Sequence, residues 1–194
     1  MPVKQVHLAQ DPDADALLSS DPLALLVGMM LDQQYPMEHA FRGPHKVLTR
    51  FGSIEPAAIA SADPEEFTAL CSRPPAIHRF PASMAGRLQE LARMICDEYD
   101  GDTARLWTEA ASGKDLLKRV QALPGFGKQK AQIFVALVAK QLGVRPEGWE
   151  AAAGDYALEG YRSVADVVDA ESLLKVREFK QQKKAAAKAA AAPR

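Results

Sequence analysis

The segment LPGFGKQKAQ, from Leu123 to Gln132, has the residue types and spacing needed to hold an anion. Gly125 and Gly127 can adopt positive φ and lack the Cβ that keeps another backbone at a distance. A helix beginning near Lys128 presents unpaired N–H groups and the positive end of its dipole, which together stabilise a phosphate. Lys128 and Lys130 add charge there, and Phe126 is placed to dip between the flanking helices as an apolar anchor. Contacts of this type position a protein on a duplex rather than specify bases. The same residues also satisfy a plain helix–helix connection with a solvated helix start.

Charge is distributed unevenly around this turn. The net formal charge is −1, yet residues 175–194 hold seven Lys/Arg and one acid. Between Gly113 and Arg145, Lys114, Lys118, Arg119, Lys128, Lys130, Lys140 and Arg145 face the single acid Asp115. A local +6 centred on the glycine turn is a footprint for an anionic partner, although solvated helix faces carry such runs too.

The elements that must position the turn read as helices. SGKDLLKRVQAL opens on Ser112 and Asp115 in a capping-box-like arrangement and places Leu116, Leu117, Val120 and Leu123 on a buried face. After the turn, Ala131, Phe134, Val135, Val138 and Leu142 line one face of a helix that stops at Gly143. Upstream, Asp21-Pro22 opens an apolar helix through Leu31, and Asp63-Pro64 opens another. A stretch from Glu38 reads as helix broken near Gly43-Pro44 and ended by Gly52. Met84, Leu88, Leu91, Ile95 and Tyr99 form one stripe of a long helix. Val3 to Ala9 alternates weakly, as a strand would. The expected organisation is one helical domain over 1–174, with its hairpin at about 113–143, and a basic Lys/Ala-rich tail over 175–194. That tail has no apolar stripe and is expected to be partly disordered.

Composition narrows the function classes. No run approaches the ~18 apolar residues of a membrane span, and the first residues lack a secretory pattern, so a cytoplasmic protein with no membrane partner is expected. Cys71 and Cys96 are too few for a disulfide framework, and His7, His39, His45 and His78 show no metal-ligand spacing. No metal or other cofactor is expected.

The hairpin sequence LPGFGKQKAQ resembles the helix-hairpin-helix of the base-excision DNA glycosylase superfamily, which includes endonuclease III and the bacterial alkyladenine glycosylases. A second stretch, LALLVGMMLDQQYPMEHAFRGPHKVLTRFG, is similar to the family's early helix, an apolar run ending in Gln-Gln. The likeness runs from about Asp21 to Asp166. It implies an all-α fold of two helical lobes with a DNA cleft between them. It implies a monomer that excises a damaged base from double-stranded DNA. Gln33 and Gln34 match the position that helps fill the gap left by an extruded nucleotide, where unstacking costs a few kcal/mol. The hairpin residues Gly125, Phe126, Gly127, Lys128, Gln129 and Lys130 are the implied backbone-binding set.

Departures from the family pattern sharpen the expectation. Members that also cleave the strand carry a nucleophilic lysine two residues after the second glycine, a place held here by Gln129. Lys128 and Lys130 flank it, turned by ~100° per residue. A monofunctional enzyme acting on deaminated bases such as uracil or hypoxanthine, or on alkylated bases, is therefore implied. The alternatives are a catalytically silent DNA-binding protein and a lyase using a displaced lysine. Two cysteines cannot hold the family's four-cysteine iron–sulfur cluster. The family's catalytic aspartate has two counterparts by spacing and local likeness: Glu147, and Asp155 in Gly154-Asp155-Tyr156, of which Asp155 is preferred. Asp32, at the end of the apolar helix, is a further catalytic candidate. His78 and Arg79 are loop candidates for contacting DNA, and Trp107, Trp149, Tyr156 and Tyr161 for stacking on a base.

Overall fold

The computed structural model describes residues 4–193, and its regular structure is helical throughout. Three helices begin at an Asp-Pro pair: α1 (Pro12–Ser20), α2 (Pro22–Leu31) and, after α3 (Met37–Phe51) and α4 (Pro56–Ser61), α5 (Pro64–Ser72). Asp11, Asp21 and Asp63 each accept a hydrogen bond from an N–H of the first turn, and the proline supplies a preset φ where no N–H is needed.

Every residue of α2 from Leu23 to Leu31 is buried. A helix with no polar face belongs in a core, and burying each of its Leu, Met and Val side chains contributes roughly 1.5–3 kcal/mol. The helix expected to break at Gly43-Pro44 instead runs unbroken as α3. Gly43 lies so close to α2 that an added Cβ would sit 2.4 Å from Leu31 Cδ1. That packing outweighs the one backbone hydrogen bond lost to Pro44. α6 (Pro81–Tyr99) buries Met84, Leu88, Leu91 and Ile95 against α4 and α5 and completes the first lobe.

The second lobe gathers α7 (Arg105–Thr108), α8 (Gly113–Gln121), α9 (Lys128–Gln141) and α10 (Trp149–Ala153) around α9. Short 3-10 turns at Gly154–Ala157 and Val164–Asp166 also pack on α9. One continuous apolar core runs through both lobes. The all-α, two-lobed architecture is thus the one the sequence implied, with α8 and α9 as the hairpin.

The N-terminal segment differs from expectation. Of the weak strand at Val3–Ala9, Val3 lies outside the described residues, and Lys4–Ala9 forms no strand. Its alternation reflects burial of Val6 and Leu8 in the core. The backbone there is satisfied by α1: the Val6 N–H donates to Ser19 Oγ at 3.0 Å and the Ala9 N–H to Asp15 Oδ1 at 2.8 Å. The basic tail continues a single helix, α11 (Ala170–Ala190). A reciprocal Asp169–Ser172 capping box starts it, and Leu173 and Val176 bury its first turns. Its Ala and Lys residues are strong helix formers. An ion pair from Arg177 to Glu38 on α3 ties it to the first lobe.

No single helix among the described residues is long and apolar enough to cross a membrane; α1 and α2, apolar together, are bent by 118°.

Gly113, in the first turn of α8, meets the start of α10 at van der Waals limit. Its N–H donates to Glu147 O at 2.8 Å, and a Cβ there would sit 2.5 Å from the backbone N and Cα of Trp149. Gly113→Ala should therefore destabilise the protein by about 1–3 kcal/mol, against the ~1 kcal/mol that helix propensity alone would add. Urea unfolding tests this, and an unchanged or raised midpoint would show that α8 and α10 are not locked together.

Candidate functional site

The end of α2 meets the glycine turn at a cleft of about 810 Å³. Because α2 ends inside the protein, its last four carbonyls must find donors other than bulk water. The Asp32 N–H reaches Gly28 O and Met29 O, both at 3.2 Å, and the Gln33 N–H reaches Leu31 O at 2.8 Å. The remaining carbonyl, Met30 O, accepts from Lys130 Nζ at 2.9 Å. An ammonium is well matched to this negative helix end. Burial nevertheless pulls the Lys130 pKa down to about 8, against the opposing influence of Asp32. Burial also raises the Asp32 pKa, opposed by the positive charges of Lys180 and Lys130.

Asp32 is followed by the exposed Gln33-Gln34 pair. Gln34 sits at φ +52, in the left-handed region. The loop is held from beneath by His78, which is 2% exposed. The Phe80 N–H donates to His78 Nδ1 at 3.1 Å, so the Nε2–H of a neutral ring is the donor to Gln33 O at 2.9 Å. Burial lowers the His78 pKa, consistent with that neutral form. Tyr35 packs on the same imidazole, with ring centroids 4.9 Å apart. Arg87 donates to Gln33 Oε1 at 3.3 Å and runs beside the hairpin, where a Cβ on Gly125 would lie 2.8 Å from Arg87 Cδ. With φ at +82, Gly125 is suited to that approach on both counts.

Opposite the glutamines, Gly127 caps α9 without any side-chain hydrogen bond, leaving the first helical N–H groups available. Gln129 Nε2 donates to Tyr156 OH at 2.8 Å, and both residues line the cleft. A third wall comes from α11, through Phe179, Lys180, Lys183, Lys184 and Ala187. Lys183 Nζ lies 5.7 Å from the Tyr156 ring centroid, a cation–π contact. The cleft is lined by the cations Lys128, Lys130, Arg162, Lys180, Lys183 and Lys184 against the one carboxylate of Asp32.

The structure therefore brings Asp32, Gln33, Gln34, Gly125, Gly127, Lys128, Gln129 and Lys130 together. Phe126 does not line the cleft; it is 5% exposed and edge-on to Phe134, an apolar anchor that supports the turn from within. Asp155 is exposed on the 3-10 turn and lies outside the cleft lining, where its neighbour Tyr156 points instead. Glu147 is exposed beside α8. His78, expected in an exposed loop, is buried because both ring nitrogens have backbone partners. Trp107 packs on Phe134 in the core, Trp149 under Arg145, and Tyr161 against Lys175.

The basic footprint also resolves differently. Arg119 pairs with Asp115 at 2.9 Å, and Lys140 pairs with Asp166 at 2.7 Å and donates to Leu158 O. These charges hold loops in place, and of the seven around the turn Lys128 and Lys130 line the cleft. Arg162 and Arg87 are contributors that the sequence did not single out, whereas the lysines of α11 belong to the basic tail whose charge the sequence shows and whose helical face it does not. The spacing of Lys180, Lys183 and Lys184, on one helix face, was the available signal for that face.

A family model described as HhH-GPD superfamily base excision DNA repair protein matches residues 27–192. The chain belongs to that superfamily. The match begins within α2 and ends beyond α11, so the glutamine loop, the hairpin and the third wall all fall inside it. A solved thermostable thymine-DNA glycosylase is similar at 20% identity with a TM-score of 0.42, over 82% of this chain and 70% of that one. The sequence has no match among curated proteins.

His78 gives this HhH-GPD chain a specific pH response. A buried histidine with a lowered folded-state pKa contributes nothing above the ordinary imidazole range. As pH falls below ~6.5, the unfolded state takes up the proton first, and stability declines. Between about pH 8 and 5, the urea midpoint of the wild type should fall more than that of His78→Asn. Parallel curves would show that His78 is not held neutral by the fold.

Proposed function

We propose that the protein is a monofunctional DNA glycosylase that hydrolyses the N-glycosidic bond of a deaminated or alkylated base extruded from duplex DNA. The observation that carries this reading is the placement of Asp32 in a cation-lined cleft, between the Gln33-Gln34 loop and the hairpin. The free amides of α9 and Lys128 hold a backbone phosphate on one side. Gln33 and Gln34 enter the duplex on the other, filling the space of the extruded nucleotide. Inside the cleft, the Asp32 carboxylate faces the sugar. As the bond between C1′ and the base breaks, the pair of electrons leaves with the base, and the carboxylate stabilises the positive charge developing at C1′. Water then adds to C1′ and gives up its proton to Asp32. Lys180 and Lys130 favour the ionised form of Asp32 against its burial, Lys130 while remaining bonded to Met30 O. The Gln129–Tyr156 pair, with one hydrogen bond used internally, has polar capacity left to hold the edge of the base.

Lys130 also supports a second reading. Its amine lies in the cleft with a pKa near 8, so a fraction is neutral and nucleophilic under mildly alkaline conditions. In that reading the neutral amine displaces the base at C1′, the base leaving with the bonding electron pair. The amine then gives up its protons as the C1′–O4′ bond opens to leave an imine and a 4′ hydroxyl, and β-elimination expels the 3′ phosphate, while borohydride reduces the imine to a stable cross-link.

The two readings differ in pH dependence. For hydrolysis, Asp32 must be ionised and Lys130 protonated. Single-turnover base release should rise above the raised Asp32 pKa and fall as pH passes about 8. Lys130→Arg should remove the alkaline limb. Imine trapping would instead increase through the same range. On a panel of duplexes containing uracil, hypoxanthine or an alkylated purine, Asp32→Asn should slow release by ~10²-fold or more with duplex binding kept. Asp155→Asn should stay near the wild-type rate. Equal activity of Asp32→Asn and wild type would remove Asp32 from the reaction. Duplex binding without release from any lesion would leave a DNA-binding protein without catalysis.

A further inference from the structure

We infer that the lysine face of α11 is a second phosphodiester grip, opposite the hairpin, whose distal half closes on the DNA backbone at the mouth of the cleft. This rests on the reading of duplex DNA as the occupant and adds a binding element to it.

The two halves of α11 are built differently. The first is anchored: Leu173 and Val176 are buried, Arg177 pairs with Glu38, and the Phe179 ring lies 5.8 Å from the Arg162 guanidinium carbon. From Gln181 to Ala190, every residue is exposed, although the helix continues without interruption. An isolated helix of that length is marginal in water even when alanine-rich. Its orientation is therefore set by the anchored half, and its distal half has little packing to keep it helical.

The face turned to the cleft is cationic. Lys180, Lys183 and Lys184 fall at i, i+3 and i+4, so they share one side of the helix, and all three line the cleft. Lys183 is drawn over the Tyr156 ring and Lys180 lies within electrostatic reach of Asp32. Neither interaction neutralises the row, since Asp32 is the single carboxylate in the lining and six cations surround it. A polyanion passing between α9 and α11 would meet basic side chains on both sides. A phosphodiester backbone fits this arrangement because its charges repeat along a line, as the lysines do along the helix. Pairing the lysines with phosphates also removes their mutual repulsion, which favours the helical form of residues 181–190.

The test measures binding of the full chain to a short undamaged duplex by anisotropy between about 50 and 200 mM salt. Replacing Lys180, Lys183 and Lys184 together with alanine keeps helix propensity and removes the charge. The slope of log K against log salt should become shallower by about two to three, roughly one for each phosphate that is no longer neutralised. The corresponding triple arginine variant should restore it. Amide hydrogen exchange over 181–190 should slow on adding the duplex to the wild-type protein. An unchanged slope in the alanine variant, or exchange unaffected by DNA, overturns the inference. Base release by the wild type is measured in parallel. Release with an unchanged slope refutes the α11 grip alone, while a changed slope without release from any lesion refutes the glycosylase reading alone.

Discussion

The buried C-terminal end of α2 is the constraint around which the two lobes are assembled. An apolar helix is stable in a core only if its terminal carbonyls are satisfied there, and an orphaned one costs about 1–3 kcal/mol. Three of the four are satisfied by the backbone that follows, through Asp32 and Gln33. The fourth, Met30 O, is satisfied by a side chain 100 residues further along the sequence, the Lys130 ammonium. A charge-assisted hydrogen bond at a helix end thus joins the lobes at the point where their surfaces part to form the cleft.

Chemistry at the site follows from this structural requirement. A lysine brought in to cap α2 is necessarily beside Asp32, the residue that ends the same helix. Desolvation pushes both groups toward their neutral forms, and their mutual attraction pushes both toward their charged forms. Burial prevails in both, and a pair of ionisable groups perturbed toward neutrality in a cleft is suited to proton and charge handling. The hairpin glycine serves the same joint. Gly125 admits Met30 and Arg87 at distances that a Cβ would contest, and Arg87 continues to Gln33. The turn proposed to hold a phosphate is therefore also a seat for the other lobe.

Much of this architecture was legible in the sequence because local chemistry and tertiary packing agree. Asp21-Pro22 and Asp63-Pro64 open helices as their capping chemistry requires, and the uniformly apolar run of α2 is a core helix. The glutamine loop and the glycine turn were legible as a pair and do face one cleft. Side-chain destinations were less legible. Arg119 and Lys140 belong to the same charge cluster as Lys130 by composition, yet they pair with Asp115 and Asp166, acids whose proximity depends on how the second lobe closes. Asp155 carries the likeness to a local pattern, while on the 3-10 turn it is exposed and its neighbour Tyr156 lines the cleft. His78 looked like an exposed loop residue because its partners, Gln33 O and the Phe80 N–H, are backbone groups that carry no sequence signature.

The site combines parts with very different degrees of support. The backbones of Asp32 and Gln33 and the Lys130 ammonium are each fixed by hydrogen bonds to buried or partly buried groups, and an uncompensated loss there would strand a polar atom. The positive φ of Gln34 is sustained by that support, since an isolated chain would relax out of it. The far half of α11 has no such support and reaches the cleft through long, exposed lysines. On the proposed reading, this division suits a protein that admits a bulky polyanion and places one sugar accurately. The groups that set bond-breaking geometry gain from rigidity, because a misplacement of ~1 Å costs about two orders of magnitude in rate. The groups that neutralise phosphates act through a charge that tolerates such displacements, and they can remain mobile without losing their effect.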